Sequence, residues 1–240
     1  MKVLIFGASG FIGSNIANFL SKYHIIDSAK LSESESAIFN KVKCADIIIN
    51  ASGISRSQNE SDFFLYNIYY SQRLYSIINQ HENKMYVYFS SIHYKSDSLY
   101  GLCKRYNEFL LKDIGGLDKN YLVCLRIPGI FGPGMKPNHV SVVATFCYNI
   151  ANKKESKIIE GEKKIKLLYI DDLVKYIQDQ IVLRQNFGFK LIDQFQETNE
   201  ITVSELFESI KKISIDLDPM IYSTNFYNKL CKTFKSYLNK

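Results

Sequence analysis

The apolar residues of this chain fall into two alternating patterns. Short unbroken runs occur at 2–6 ("KVLIF"), 45–51 ("ADIIINA"), 84–91 ("KMYVYFSS") and 121–128 ("YLVCLRIP"). They have the length of buried strands and are too short to cross a bilayer. Between them apolar positions recur every three or four residues, as on one face of a helix. This holds for "GFIGSNIANFLSKY" (10–23), with its stripe Ile12, Ile16, Phe19 and Leu20, for "DFFLYNIYYSQRLYSIINQ" (62–80) and for "LYGLCKRYNEFLLKDI" (99–114). "HIID" (24–27) makes a further short strand. Strands separated by helices of this length predict right-handed βαβ units and an α/β fold, a Rossmann-type doubly wound parallel sheet. The last third predicts small strands within "IIEGEKKIKLLY" (158–169) and "GFKLI" (188–192), and helices at "DDLVKYIQDQIV" (171–182) and "TVSELFESIKKI" (202–213). These form a small C-terminal lobe packed on the first fold. No repeat or low-complexity linker divides the chain, so 1–240 reads as one domain: a core over 1–128 and a lobe over 129–240.

Composition narrows the partners. With 240 residues, 46% hydrophobic and 22% charged, the chain can bury a sizeable core. The net charge is +6, but the lysines are spread out and no nucleic-acid motif is present; a small polyanion such as a nucleotide suits that charge, and nucleic acid is not expected. Five scattered cysteines without a C-x-x-C pair, and four histidines without ligand spacing, predict reduced buried thiols and no metal site. Met1-Lys2 runs directly into a strand with no secretory-type segment, which predicts a cytoplasmic protein without stable membrane insertion. Near the C-terminus, "YNKLCKTFKSYLNK" sets Leu230, Phe234 and Leu238 against Lys229, Lys232 and Lys235, a basic amphipathic helix. Packing on its own domain or on a dimer partner is favoured there over a membrane surface.

The candidate chemistry lies where strands end. Gly7, Gly10 and Gly13 follow the first strand and open the first helix. Glycines in that place allow a tight turn and close approach of a pyrophosphate to a helix N-terminus. Asp27, about 20 residues on, is placed to bind an adenosine ribose, whereas Lys30 suits a 2′-phosphate; the sequence leaves both readings open. The turn Asn50 to Gly53 follows the third strand, and Ser90-Ser91 the fourth. A hydroxyl at that edge can bond a carbonyl oxygen as it gains negative charge. Next comes Tyr100, with Lys104 four residues later on the same helical face. An ammonium beside a phenol favours the phenolate, which suits a general acid or base. With 17 tyrosines in a lysine-rich chain that spacing alone carries little, but here it closes an ordered series of loops on one sheet edge.

With those residues the chain resembles the extended short-chain dehydrogenase/reductases that act on nucleotide sugars. "FGPGMKPNHVSVVATFCYNIA" (131–151), "LLYIDDLV", "TVSELFESIKKI" and "IYSTNFYNKL" (221–230), in that order, are similar to the reductase half of bifunctional capsular-polysaccharide enzymes on the route to UDP-N-acetyl-L-fucosamine. The resemblance implies hydride transfer from NADP(H), with NAD as the alternative, to a UDP-linked 4-keto-6-deoxy sugar in capsule or O-antigen biosynthesis. It implies Tyr100 as acid/base, Lys104 on the nicotinamide ribose, and Ser91 polarising the carbonyl. Gly7, Ser9, Gly10, Phe11, Ile12, Gly13, Asp27, Lys30, Ala51, Ser52, Gly53, Asn67 and Pro128 are placed around the cofactor. Arg126, Lys136, Asn138 and Ser141 are placed against the sugar nucleotide, with Arg126 as a strand anchor and Asn138 as the cap of the next helix the bland alternatives. Relatives carry a cupin epimerase half that these 240 residues lack, so a separate epimerase partner is expected, and a homodimer is a further expectation. Ser98-Leu99 replaces the family's Asn-Pro, Gly129 its asparagine, Gly134 stands near its bulky aromatic and His93 near its glutamine, all around the sugar pocket. Ile92 and His93 after Ser91 supply no acidic pair for a 4,6-dehydratase. A 4-epimerase with retained NAD, or a catalytically silent dinucleotide-binding protein, remain the competing readings.

Overall fold

A computed structural model of the chain describes residues 1–115, 119–185, 187–217 and 224–238. In chain order its elements are β1 (Lys2–Phe6), α1 (Phe11–Leu20), β2 (Ile25–Ala29), α2 (Glu35–Cys44), β3 (Ile47–Asn50) and α3 (Glu60–Phe63). A π-helical stretch (Phe64–Tyr69) continues α3 into α4 (Tyr70–Ile78). Then come β4 (Met85–Ser91), a 3-10 turn (Ile92–Lys95), α5 (Leu99–Gly115), β5 (Tyr121–Ile127), β6 (Gly129–Phe131), α6 (Val142–Ala151), β7 (Lys164–Tyr169), α7 (Ile170–Val182), β8 (Gly188–Ile192), β9 (Asn199–Thr202), α8 (Val203–Ile215) and α9 (Asn225–Lys235). Two compact units divide the chain, residues 1–127 with 174–194, and 128–173 with 195–240.

The first unit is built on a six-stranded, all-parallel sheet in the order β2-β1-β3-β4-β5-β8. Parallel strands joined through helices need apolar residues on both faces. β1 shows this: Leu4 and Phe6 point to one face, Val3 and Ile5 to the other, and all four are fully buried. On the Leu4 face, Ile48, Tyr86, Tyr88 and Leu122 pack with Ile38 and Val42 of α2, Leu74 and Ile78 of α4, and Leu111 of α5. This is the Rossmann-type doubly wound sheet that the alternating pattern predicts.

The second unit holds a three-stranded sheet, β6-β7-β9, with β6 and β7 parallel and β7 and β9 antiparallel. Its core joins Phe131, Val143, Phe146, Leu167, Leu206 and Ile210 to Leu230 and Phe234 of α9. The C-terminal amphipathic helix therefore lays its apolar face on its own unit. Leu238, expected in that face, is exposed, and Lys229, set against that face in the sequence pattern, is buried with its ammonium 2.6 Å from Asp172 Oδ2. Residues 221–223 and 239–240 of the two quoted C-terminal segments lie outside the described residues.

Several expectations shift in detail. "GFKLI" is an edge strand of the large sheet beside β5, not part of the C-terminal lobe, because its backbone groups find β5 in parallel register. The strand expected across 158–169 begins only at Lys164. The second strand runs two residues past Asp27, to Ala29. The apolar pattern does not announce α2, because its core contacts come from Ile38 and Val42 within a polar, lysine-containing segment. Ser141, not Asn138, caps α6: its hydroxyl accepts from Ala144 N at 3.2 Å. Asn138 is instead a left-handed residue, φ 54°, whose own N–H is bound to Thr145 Oγ1.

Candidate active site

Helix α5 carries the tyrosine–lysine pair and is started by Ser98, whose hydroxyl accepts from Gly101 N at 3.1 Å, an N-cap bond. Tyr100 and Lys104 both line a cavity of about 150 Å³ with Phe89, Ser90, Ile12 and Ile127. Lys104 is 6% exposed, and its ammonium donates to Phe89 O at 2.6 Å. It lies 4.9 Å from the Tyr88 ring centroid and 5.4 Å from that of Tyr100, within cation–π range of both. Tyr88 is buried in the sheet, and burial first, then neighbouring Tyr86, holds its phenol neutral well above the usual range. The site thus offers one phenol that reaches the cavity and one that is locked in the core. Ser91, the last residue of β4, is buried; its hydroxyl accepts from His93 N at 3.1 Å, which leaves its proton to donate. Ser90, rather than Ser91, is on the cavity wall.

A second cavity, of about 540 Å³, adjoins the first through shared walls at Ser52 and Gly53. Gly7, Ala8 and Ser9 line it, and no side chain caps α1 at Gly10. The open N–H groups of Phe11, Ile12 and Gly13 therefore begin the helix as an anion-binding end. Gly7 has φ 79°, and a Cβ there would stand 2.7 Å from Ala51 O; a Cβ at Gly13 would overlap the Gly7 carbonyl oxygen. Gly7 lets the first loop lie against the Ala51–Gly53 loop, and Gly13 lets the start of α1 close on the first loop, so the residues present fit a dinucleotide's pyrophosphate. At the far end of the cavity stand Ser28, Lys30, Ser32, Glu33 and Lys41. Lys41 donates to Glu33 Oε2 at 2.8 Å, and that bond, with the Lys30 backbone N–H, holds the Glu33 carboxyl below the usual carboxylate range. Asp27 is not on the cavity wall: it pairs with Lys2 at 3.7 Å and accepts its neighbour Ser28 N at 2.8 Å. Because β2 continues to Ala29, the residue leaving its carboxyl end is Lys30.

Two polar networks join residues that local spacing does not connect. In the π-helical stretch, Asn67 clamps the loop after β3: its Nδ2 donates to Ile54 O at 2.8 Å and its Oδ1 accepts from Ile54 N at 2.9 Å. Its own carbonyl accepts from Asn107 Nδ2, at 2.7 Å, and Asn107 is fully buried on α5. Asn67 lines neither cavity itself and acts on them through the loop it holds, of which Ile54 lines the smaller. Arg126 meets Glu108 of α5 through a fork, Nε to Oε1 at 3.0 Å and Nη2 to Oε2 at 2.6 Å, with Nη1 3.7 Å from Asp193. The Glu108 hydrogen bonds raise the Arg126 guanidinium above its ordinary value. Lys136, Asn138 and Ser141 belong to the second unit, as does Pro128, its first residue.

The sequence profile of the NAD dependent epimerase/dehydratase family matches residues 3–179. A UDP-2-acetamido-2,6-beta-L-arabino-hexul-4-ose reductase of Pseudomonas aeruginosa is 30% identical over 214 residues, 88% of this chain and 57% of that protein. The crystal structure of the capsular polysaccharide assembling protein CapF from Staphylococcus aureus aligns with a TM-score of 0.83 and 27% identity, covering 99% of this chain and 66% of that one. The chain therefore spans less than two thirds of the length of either relative. UDP-glucuronic acid 4-epimerase from Bacillus cereus, solved with NAD, has a TM-score of 0.83 at 16% identity over 99% of this chain and 98% of its own, and shares the fold.

Proposed function

The chain belongs to the NAD dependent epimerase/dehydratase family, and from that premise we propose that it is an NAD(P)H-dependent reductase of a UDP-linked 4-keto-6-deoxy sugar in surface-polysaccharide biosynthesis. The observation that carries this reading is Lys104, a buried ammonium set between a core tyrosine and Tyr100 on the wall of a cavity that shares Ser52 and Gly53 with the larger one. When bound, the dinucleotide supplies the hydride. Tyr100 hands its phenolic proton to the oxygen at C4. Lys104 steadies the phenolate that remains, with one N–H tied to Phe89 O and two left for ribose hydroxyls. Ser91, one residue past the cavity wall at the carboxyl end of β4 and with its proton unspent, is the donor we assign to the same sugar oxygen as it becomes an alkoxide, and this added negative charge is what a preset donor stabilises most. Gly7, Gly10 and Gly13 with the first turn of α1 hold the pyrophosphate. Ala51, Ser52 and Gly53 wall the nicotinamide side, and Lys136, Asn138 and Ser141 face the sugar nucleotide.

For the cofactor the reading favours NADP(H) over NAD. Lys30, Lys41, Ser28 and Ser32 line the far end of the large cavity with one carboxylate, Glu33, already paired with Lys41, which leaves Lys30 as the unpaired cation there among the described residues, whereas Asp27 is tied to Lys2 outside it. A cationic, hydroxyl-bearing wall suits a 2′-phosphate. The working partner is the UDP-sugar, with the protein acting as a homodimer. No helix among the described residues is long and apolar enough to cross a membrane.

The test is a cofactor-consumption assay against a panel of UDP-4-keto sugars, run with NADPH and NADH in parallel. Stoichiometric NADPH oxidation is the expected result. Interconversion of sugar epimers without net oxidation would replace the reductase by a 4-epimerase. Tight NADP binding with no turnover on any panel member would leave a catalytically silent binder.

A further inference from the structure

We infer that Glu108 is a positioning residue for the Tyr100–Lys104 helix and that Arg126 acts through it, rather than by gripping the sugar nucleotide. The inference rests on the reductase reading for its kinetic arm. Ser90 and Arg126 are register partners on the neighbouring strands β4 and β5, so their side chains emerge on one face of the sheet. Glu108 lies over that face, two turns beyond Tyr100 and one beyond Lys104 on the same side of α5. Its carboxylate accepts the Ser90 hydroxyl and both edges of the Arg126 fork. One turn earlier, Lys104 donates to the carbonyl of Phe89. Two successive turns of α5 are thus fastened to two successive residues at the end of β4. That pairing fixes the helix against sliding and against rotation about its axis, and so sets where the Tyr100 phenol projects.

Arg126 extends the same fastening into the segment between Ser91 and Tyr100. Its guanidinium carbon lies 3.5 Å from the Tyr94 ring centroid, a stacked contact. From the other side, Arg105 donates to Tyr94 O at 2.9 Å and to Ser96 O at 3.0 Å. The 3-10 turn that leads from Ser91 to the helix is therefore held by two arginines. The Nε–Nη2 edge of Arg126, one of the two with which it can fork onto a diphosphate, is already on Glu108, and both side chains are largely buried, at 14% and 11% exposure. Its remaining Nη1 faces Asp193, a carboxylate that opposes a phosphate at that place.

The experiment compares Arg126→Met, Glu108→Gln, the double variant and the milder Arg126→Lys, which keeps a cation beside Glu108. Three readouts are taken: amide hydrogen exchange over residues 90–98, NADPH affinity, and kcat and KM with the UDP-4-keto sugar. Arg126→Met and Glu108→Gln should each speed exchange over 90–98 by about tenfold or more, leaving β1 and β3 protected. Each should lower kcat by roughly 10- to 100-fold with KM within about threefold, since a misplaced acid costs rate rather than binding. The double variant should be no worse than the worse single one. Arg126→Lys should fold and lie between wild type and Arg126→Met in both exchange and kcat. The inference is overturned if Arg126→Met raises KM tenfold or more at unchanged exchange while Glu108→Gln behaves as wild type. If no panel sugar is reduced even by wild type, the reductase reading fails, and the exchange measurement still decides the positioning role.

Discussion

Lys104 is a buried cation with no carboxylate within ion-pair distance among the described residues, and its charge rests on one carbonyl and two aromatic faces. A hydrogen bond from a charged donor contributes about 1.5–3 kcal/mol and each ring face about 0.5–2 kcal/mol, which together hold an ammonium that would otherwise be costly to bury. Tyr100→Phe keeps the ring face and removes only the hydroxyl that carries the proton. It should lower kcat by about 10²–10⁴-fold with NADPH affinity within threefold, measured by steady-state kinetics and fluorescence titration. Lys104→Ala loses the anchor on Phe89 as well as the charge, and both rate and cofactor affinity should fall. If Tyr100→Phe turned over at near wild-type rates, the proton would come from elsewhere. Away from the site, His81 packs on the Phe39 ring, with a centroid distance of 4.6 Å. Burial first, then the charges of Lys84 and Lys43, lowers its imidazole below the ordinary value near 6.5. Folding therefore favours neutral His81, and the unfolded chain binds more protons below that pH. This contribution to stability is full above the unfolded value and is lost as pH falls through the depressed one. A His81→Gln variant should show a flatter loss of Tm between about pH 6.5 and 5 than wild type; parallel curves would exclude this source of acid sensitivity.

At the scale of elements, the run from α3 to α4 shows how a helix can hold a loop. A π-turn frees backbone groups from the regular ladder, and here the Asn67 carbonyl is taken up by Asn107 while its side chain holds Ile54. Gly53 sits under that amide at φ 121°, and a Cβ there would stand 2.7 Å from Asn67 Oδ1. Gly53→Ala should therefore displace Asn67, weaken NADPH binding by tenfold or more and lower Tm by a few degrees, since such backbone strain costs about 1–3 kcal/mol. Unchanged affinity would mean that the loop does not depend on Asn67. The sequence names Gly53 and Asn67 but not the bonds between their segments, because the π-turn and its partners Ile54 and Asn107 are set by tertiary packing rather than by local spacing. What was legible rests on local spacing. The apolar runs announce β1, β3, β4 and β5, and the i, i+4 relation of Tyr100 and Lys104 puts them on one face. The contacts that give that pair its setting come from Tyr88 and Phe89, some 15 residues away, and the Glu108 fork comes from a strand 18 residues on. α2 was hidden for a related reason: only tertiary packing shows which of its few apolar residues face the sheet.

At the scale of the whole molecule, the outward sides of two neighbouring helical runs are unusually apolar. Phe64, Leu65 and Tyr69 stand 39–56% exposed on the π-helical stretch, and Leu102, Tyr106 and Phe109, spaced i, i+4, i+7, stand 37–69% exposed on α5. The runs are joined across their surface by a Gln72 to Tyr106 hydrogen bond, and Cys103 reaches the Phe63 carbonyl at 3.8 Å, so the six side chains belong to one face. With large side chains presenting about 150–250 Å² each when fully open, that face offers on the order of 500 Å² of apolar area. This is within the range of the largest patch on a monomer and more than half of the roughly 800 Å² each partner buries in a stable interface. A second copy related by a two-fold axis would meet the same stripe with its own, a self-complementary arrangement that two adjacent helices per copy can form. A Leu102→Glu, Phe109→Glu variant puts like charges at the centre of such a contact while leaving Tyr100, Lys104 and the core side of α5 in place. In sedimentation velocity at tens of micromolar, wild type should run as a dimer and the double variant as a monomer with NADPH affinity unchanged. A wild type that sediments as a monomer, or a variant that stays dimeric, would move the interface off this face.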